Sequence, residues 1–217
     1  MRYNKETRAY LVILTQSEIS IMPLPPPPPP PPTKAELPAP AARPQAPQPP
    51  SISATRPSGA FKLELLIFNG WPFKDHWAFW VPTASNPDIG TQVHAVGDVR
   101  NGFEFQIKRN RNFEVTTSRP TERIPLQWVN GRFFDEKAML NNGAFKLDDT
   151  PVCGFEASVH KVKAPTKSLN AVDDPATRGR PVNQRNCQTW IVEAAAQLVR
   201  DGIINHEVSV YLNTIKQ

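Results

Sequence analysis

A run of eight consecutive prolines, Pro25–Pro32, limits where this chain can fold. Proline has a fixed φ and no backbone N–H, so such a run enters neither the interior of a helix nor a central strand. The surrounding segment, Pro23 to Gly59, is dominated by Pro, Ala, Ser and Thr and offers too little apolar surface to offset its ordering entropy. We therefore predict a disordered, polyproline-II-rich arm over residues 1–59 and one folded domain over residues 60–217.

The proline-rich arm has two alternative roles. It fits a docking ligand for a proline-binding domain such as SH3 or WW, because these domains recognise preformed polyproline-II segments. We favour the alternative, a spacer that has no partner of its own, because composition alone rarely identifies a partner. Composition alone does not decide between the two, so both remain open.

The size and charge of the chain indicate one ordinary domain. Of its 217 residues 39% are hydrophobic, which is enough to bury a core. The net charge is +5, but the basic residues are interleaved with acidic ones. The densest basic cluster is Lys108, Arg109 and Arg111, which we expect at a solvated strand edge. No nucleic-acid-binding motif accompanies it, so we predict no nucleic-acid binding.

The cysteines and the apolar runs bear on the compartment. Two cysteines, Cys153 and Cys187, exclude a disulfide-rich scaffold and leave one bridge between them open. The apolar stretch Tyr10 to Leu14 follows charged residues and has no small-residue cleavage site, so a secretory signal is not supported. No run approaches the roughly 18 apolar residues that cross a bilayer. We expect an intracellular protein of the cytoplasm or nucleus without a transmembrane segment.

Hydrophobic patterning predicts an α+β domain. Alternation of side chains and turn signals such as Asn-Gly indicate strands. The predicted strands are Phe61–Phe68, His76–Val81, Gln92–Val96, Phe103–Lys108, Ile124–Val129 and Cys153–Val162. After them an apolar stripe at helical spacing predicts a helix over Cys187–Arg200, which Gly202 ends, and a short helix follows from Asn205. We therefore expect an antiparallel sheet packed against a cysteine-bearing helix.

Three residues of this pattern carry nucleophilic chemistry. Cys187 begins the predicted helix, where free N–H groups and the helix dipole lower a thiol pKa. His76 opens one strand and His94 lies in the next, so antiparallel pairing would bring the two imidazoles together. If the helix packs on this sheet, His76 takes the thiol proton, His94 orients His76, and the Cys187 N–H stabilises an oxyanion. The alternative is that Cys187 is only a small buried apolar residue.

The same residues resemble a known superfamily. The segments Asp75–Val81, Val93–Val96 and Asn186–Trp190 are similar to the three motifs of the permuted NlpC/P60 superfamily, especially its lecithin:retinol acyltransferase-like branch. The resemblance implies a circularly permuted papain-like fold, with His76 as general base, His94 as orienting residue and Cys187 as nucleophile. The chain is also similar to a fungal family with the same His-Trp-Ala and Asn-Cys-Gln-Thr-Trp signatures, which carries no activity.

Two main functions follow as hypotheses. The first is a thiol enzyme that acts on an amide, isopeptide or ester bond of a peptide or acyl substrate through a Cys187 thioester. The second is a non-catalytic binding module that keeps the fold and recruits a partner through the proline-rich arm. A lipid-modifying acyltransferase is a third, weaker hypothesis, because Gln188 stands where that branch has an acidic or aromatic residue.

The remaining candidates indicate structure rather than chemistry. His160 and Glu156 would share one face of a strand, but zinc would need further ligands, so we predict no metal site and no cofactor. Asp98, beside Gly97, is expected to be a turn residue. The tryptophans are expected to form core and cleft walls: Trp71, Trp77, Trp80, Trp128 and Trp190.

Overall fold

The computed structural model describes residues 47–167 and 185–217, which belong to one compact unit. The proline run and the rest of residues 1–46 lie outside the described residues, so the predicted disorder and docking role of that part of the arm stay predictions. Residues 47–59 form no helix or strand. One of them nevertheless contacts the folded domain, since the Ser53 carbonyl accepts a hydrogen bond from the Trp128 indole at 2.8 Å.

The described chain is α+β, as predicted. It contains strands β1 to β6 and helices α1 to α4, with short 3-10 turns at Gly131–Phe133 and Asn141–Gly143. The strands are β1 Ala60–Phe68, β2 His76–Pro82, β3 Ile89–Asp98, β4 Gly102–Asn112, β5 Glu122–Asn130 and β6 Lys146–Asp148. The helices are α1 Glu136–Met139, α2 Gly154–His160, α3 Cys187–Arg200 and α4 His206–Ile215. In the described part of the chain, no helix combines the length and hydropathy that a membrane crossing requires.

The six strands form one antiparallel sheet in the order β5-β1-β2-β3-β4-β6. The first five predicted strands are confirmed, each extended by one to four residues at one or both ends. Asp98 ends β3 and its carboxylate accepts the N–H groups of Arg100 and Asn101 at 2.7 and 2.9 Å, so its predicted turn role is also confirmed. The antiparallel pairs from Phe79–Val93 to Pro82–Gly90 set the register between β2 and β3, which positions the candidate site.

The two faces of the sheet have different environments. On the core face, Trp77 and Phe79 of β2 pack with Trp190 and Ile191 of α3 in the main hydrophobic core. The opposite face carries a smaller cluster in which Trp80 packs with Phe113 and with Leu66 and Ala78. Because side chains alternate along a strand, His76 belongs to this opposite face.

Helix α3 is confirmed at both predicted ends. It begins at Cys187 because Asn186 caps it, with the Asn186 Oδ1 atom accepting the Thr189 N–H at 3.0 Å. Its buried residues recur at helical spacing and pack on β2 and β3. It ends before Gly202, whose φ of +69° is the left-handed conformation that glycine adopts most easily.

The predicted strand Cys153–Val162 is wrong, because this segment forms helix α2. Its buried residues Phe155 and Val159 lie four positions apart, which is the helical and not the strand period. Consequently Glu156 is fully buried whereas His160 is exposed, and the two do not form a common site.

The expected solvated strand edge at the basic cluster is also wrong. Arg109 is only 1% exposed and pairs with Asp148 at 2.7 Å and with Glu156 at 3.0 Å. Arg111 is only 5% exposed. Two carboxylates from β6 and α2 compensate the buried charge of Arg109, so this residue is part of the core.

Candidate active site

Cys187 lies where helix α3 meets the start of strand β2. Its Sγ atom is 3.9 Å from the carbonyl oxygen of Asp75. The backbone N–H groups of Trp77, Gln188 and Cys187 itself also point at the sulfur. Since Asp75 and Trp77 flank His76, the sulfur borders the main chain on both sides of that histidine. Both cysteines of the chain are free thiols, so the bridge that the sequence left open does not form.

The imidazoles of His76 and His94 meet on the opposite face of the sheet, as the strand pairing predicted. His76 Nε2 lies 2.7 Å from His94 Nδ1, and the ring centroids are 5.0 Å apart with the rings edge to face. On its far side, His94 Nε2 lies 3.2 Å from Oε1 of Gln106. His94 is 2% exposed, so these hydrogen bonds hold a fully buried ring.

The hydrogen-bond pattern assigns the tautomers of both rings. Arg111 has only donors, so its bond to Gln92 Oε1 fixes the orientation of that amide. Gln92 Nε2 therefore donates to His94 Nδ1, at 3.3 Å, and His94 carries its own proton on Nε2, which donates to Gln106. His94 Nδ1 is thus an acceptor, and the proton between the two imidazoles belongs to His76 Nε2.

This assignment leaves His76 Nδ1 as an unprotonated nitrogen. Among the described residues it accepts no hydrogen bond, and none joins it to the Cys187 thiol, whose proton points to the Asp75 carbonyl. Nδ1 is the ring nitrogen nearer to its own main chain, and that main chain borders the Cys187 sulfur. The structure therefore brings the thiol beside the main chain of His76, whereas the imidazole belongs to the face of the sheet opposite the core, and no hydrogen bond joins the two side chains.

Burial keeps both reacting groups neutral. It raises the pKa of the Cys187 thiol, and the three backbone N–H groups around the sulfur only partly oppose this. Burial, together with the positive charges of Lys108 and Arg111, lowers the pKa of His76 to about 4. Burial also lowers the pKa of His94, and the neighbouring His76 and Lys108 lower it further. The expectation that the helix start lowers the thiol pKa is thus wrong, because desolvation outweighs the dipole.

The family match covers this site. Residues 63–205, about two thirds of the chain, match a family of unknown function, DUF6540. The chain belongs to the DUF6540 family. The matched range includes His76, His94 and Cys187, and it carries no activity with it. No curated protein and no solved structure matches the chain.

A glutamine clamp beside the thiol was missed by sequence reasoning. Within the DUF6540 domain, Gln188 Nε2 donates to the Asp75 carbonyl at 2.9 Å, the same oxygen that faces the thiol. Gln217 holds both partners, since its N–H donates to Gln188 Oε1 at 2.9 Å and its Nε2 donates to Asp75 Oδ2 at 2.8 Å. Asp75 and Gln188 each adjoin a motif residue, which is a sequence signal, whereas nothing in the sequence points to Gln217.

An exposed aromatic loop precedes the site. Trp71 and Phe73, between β1 and β2, are 84% and 85% exposed. The loop is tied down by Asp75, whose Oδ1 accepts the Gly70 N–H at 3.1 Å. Of the tryptophans expected to form core and cleft walls, Trp77, Trp80 and Trp190 are confirmed as core residues, whereas Trp71 is exposed and not part of the core. The loop that leads to His76 therefore exposes apolar surface.

A bound metal ion needs several ligating side chains close together. In the described ranges, no group of three or more His, Cys, Asp and Glu side chains lies close enough together to bind a metal ion. Cys187 and its neighbour His76 instead supply a thiol and an imidazole with a free lone pair, and backbone N–H donors surround the sulfur. These are the groups that acyl transfer through a thioester uses.

Proposed function

We propose that this DUF6540 protein is a thiol-dependent hydrolase or acyl-transfer enzyme that acts on an amide, isopeptide or ester bond. The observation that carries the proposal is the position of the Cys187 sulfur against the main chain of His76, while His94 binds His76 Nε2. His76 Nδ1 is therefore unprotonated, and His76 is also the residue whose main chain the Cys187 sulfur borders. The permuted papain-like relationship that the sequence motifs imply agrees with these roles.

The first step is attack by the thiol on the substrate, with transfer of the thiol proton to His76 Nδ1. The thiol turns its proton from the Asp75 carbonyl to the imidazole, and the sulfur attacks the substrate carbonyl carbon. Because the resting thiol and imidazole are both neutral, proton transfer accompanies the attack rather than preceding it as a stable ion pair. A carbon–sulfur bond forms, and the carbonyl oxygen takes the negative charge.

Collapse of this intermediate breaks the bond to the leaving group. The proton on His76 Nδ1 passes to the leaving nitrogen or oxygen, and a Cys187 thioester remains. Water or an amine then attacks the thioester, His76 accepts its proton, and the carbon–sulfur bond breaks to restore the thiol. Water gives hydrolysis and an amine gives acyl transfer. We favour hydrolysis of an amide or isopeptide bond.

Backbone donors and the aromatic loop complete the proposed site. The N–H groups of Cys187 and Gln188 at the start of α3 point at the sulfur, so a carbonyl oxygen on a carbon bound there meets the same donors. The glutamine clamp holds the Asp75 carbonyl, which receives the resting thiol proton. Trp71 and Phe73 offer apolar contacts to a substrate that approaches from solvent.

An acylation experiment tests the proposal. The full chain is incubated with 4-nitrophenyl acetate, and the adduct is located by mass spectrometry of peptides. We expect one acetyl group on Cys187 and none in Cys187→Ala. The matched control is Cys153→Ala, which removes the other thiol and leaves the Cys187 adduct unchanged. Acetylation of Cys153 alone, or none of either cysteine in the folded protein, would refute the proposal.

A non-catalytic binding module is the second candidate, and the resting state favours it in one respect. Both side chains are neutral, and the thiol proton faces a backbone carbonyl rather than a base. In that case Cys187→Ala keeps partner binding, whereas deletion of residues 23–46 abolishes it. Binding of both variants to a panel of purified SH3 and WW domains separates the two functions. Residues 47–59 stay in the deletion variant because Ser53 contacts Trp128.

A further inference from the structure

Two cations beside the imidazole pair, Lys108 and Arg111, have no acidic partner among residues 47–167 and 185–217. Arg111 is only 5% exposed, yet its guanidinium contacts neutral groups, namely Gln92 Oε1, the Ser118 carbonyl and the rings of Phe68 and Phe113. Lys108 is half-buried, and its ammonium group makes no hydrogen bond or ion pair with any residue that the structure describes. Uncompensated charge in a partly buried position is costly, so such a pair indicates a site for an anion.

Both cations line one groove on the opposite face of the sheet. The groove has a volume of about 480 Å³ and is walled by β4, the segment that follows it and the start of β6. Its polar end carries Gln106, Lys108 and Arg111. Its other walls include Val115, Phe145 and Leu147, which are 82%, 60% and 55% exposed. A ligand with one negative charge and an apolar body matches this lining.

The groove adjoins the proposed reaction centre at the end away from Cys187. Gln106 belongs to the groove and also accepts the hydrogen bond from His94. Lys108 lies beside Gln92 in the pairing of β3 with β4, and Gln92 also binds His94. Along this network the order is therefore His76, whose main chain borders the Cys187 sulfur, then His94 and then the groove.

We propose that this groove binds a carboxylate group of the substrate, with Lys108 as its ion-pair partner and Arg111 as the second cation. This inference rests on the proposed function, because it treats the group bound at Lys108 as part of the molecule whose carbonyl reaches Cys187. The substrate thus has its reacting bond at one end of the imidazole pair and an acidic group, with an apolar neighbour, at the other.

A carboxylate fits better than a phosphate. Two of the five N–H donors of Arg111 already bind Gln92 and Ser118, which leaves fewer donors for the several contacts that a phosphate group accepts. The ammonium of Lys108 is the only cation in the groove whose donors are all unused among the described residues. One available ammonium pairs with one negative charge.

Binding is tested with pentanoate and pentanamide, which differ only in the charged group. Their affinities for the full chain are measured from NMR shifts of the amides of Gln106, Lys108 and Arg111. We expect pentanoate to bind about tenfold more tightly than pentanamide, which is the low end for a charge-assisted hydrogen bond. Lys108→Met and Lys108→Gln should each remove that difference. Lys137→Met is the matched control, because Lys137 is exposed on α1, and it should leave the difference unchanged.

Three results would overturn the proposal. They are equal affinities of pentanoate and pentanamide, equal effects of Lys108→Met and Lys137→Met, and tighter binding of inorganic phosphate than of pentanoate. The readout does not use Cys187, so Cys187→Ala should bind pentanoate like the parent. A failure of Cys187 acylation therefore refutes the proposed function but not the proposed carboxylate site. A failure of pentanoate binding refutes the carboxylate site alone.

A kinetic series tests whether the groove serves the reaction. The substrates are 4-nitrophenyl monoesters of dicarboxylic acids from glutaric to sebacic acid, each compared with the neutral ester of equal chain length. We expect one chain length to acylate Cys187 about tenfold faster in its charged form, because the carboxylate then reaches Lys108. Lys108→Met should abolish only that advantage. Equal rates for charged and neutral esters at every length would contradict the assignment.

Discussion

His76 Nε2 lies 2.7 Å from Nδ1 of His94, and this bond determines which nitrogen of His76 is available for chemistry. His94 is itself held by Gln92 and Gln106, and Gln92 is fixed by Arg111. A network of side chains therefore determines which nitrogen of His76 acts as the base of the proposed reaction. Within this network, only His76 has its main chain beside the Cys187 sulfur. Such a supporting network commonly changes activity by one or two orders of magnitude when it is broken.

The first prediction concerns His94 as a positioning residue. His94→Leu removes the acceptor for His76 Nε2–H, so we expect the rate of Cys187 acylation to fall about 10- to 100-fold. His94→Gln retains an acceptor oxygen and should recover most of the rate. Stopped-flow release of 4-nitrophenolate measures both. A merely structural role for His94 would make the two variants equally slow or equally unstable.

The second prediction concerns the thiol. Burial raises the pKa of Cys187, so its thiolate fraction is small at neutral pH and grows about tenfold for each pH unit below the pKa. In Cys153→Ala, whose only thiol is Cys187, alkylation by iodoacetamide should accelerate continuously from pH 6 to 9. Mass spectrometry at fixed times gives the rates. A plateau between pH 5 and 8 would instead indicate a stable thiolate–imidazolium pair.

The third prediction concerns stability against pH. The pKa of His76 falls from 6.5 to about 4 on folding, so the unfolded chain binds this proton more tightly. Stability is complete above pH 6.5 and decreases as the pH drops from 6.5 towards 4, by about 2 kcal/mol at pH 5. Urea unfolding at pH 8 and pH 5 measures it. In His76→Gln the loss of unfolding free energy between pH 8 and pH 5 should be smaller by that amount. An unchanged loss would refute the lowered pKa of His76.

The fourth prediction concerns the buried ion pair of Arg109. Arg109→Met leaves Glu156, which is 0% exposed, without its main partner, so we expect a loss of about 3 to 5 kcal/mol in the free energy of unfolding. Lys161→Met, which removes the surface pair with Asp201, is the control and should cost less than about 1 kcal/mol. Chemical denaturation measures the free energy of unfolding of both variants. Similar small losses in the two would show that the Arg109 pair is not buried in solution.

Local signals explain why much of the site could be predicted from sequence. The alternation in β2 and β3 assigns His76 and His94 to one face, and the register follows from the strand ends. Asn186 caps α3 through a contact only three residues away, so the helix start that carries Cys187 is visible in the sequence. Each of these features depends on neighbours along the chain or across one strand pair.

Features that depend on distant packing could not be predicted. Whether the segment at Cys153 is a strand or a helix depends on what its apolar residues pack against, and a short apolar segment fits both patterns. The burial of Arg109 needs Asp148 and Glu156, and the clamp on Asp75 needs Gln217, 142 residues away. The direction of the thiol pKa shift likewise depends on burial, which only the assembled core provides.

The most direct test of the central claim is the acylation rate of Cys187 with and without the imidazole of His76. Both proteins carry Cys153→Ala, so one thiol remains, and both react with 4-nitrophenyl acetate at pH 7. General-base catalysis contributes about 10²- to 10⁴-fold, so His76→Gln should be at least about 100-fold slower while it remains folded. Equal rates in the two folded proteins would contradict the assignment of His76 Nδ1 as the base for Cys187.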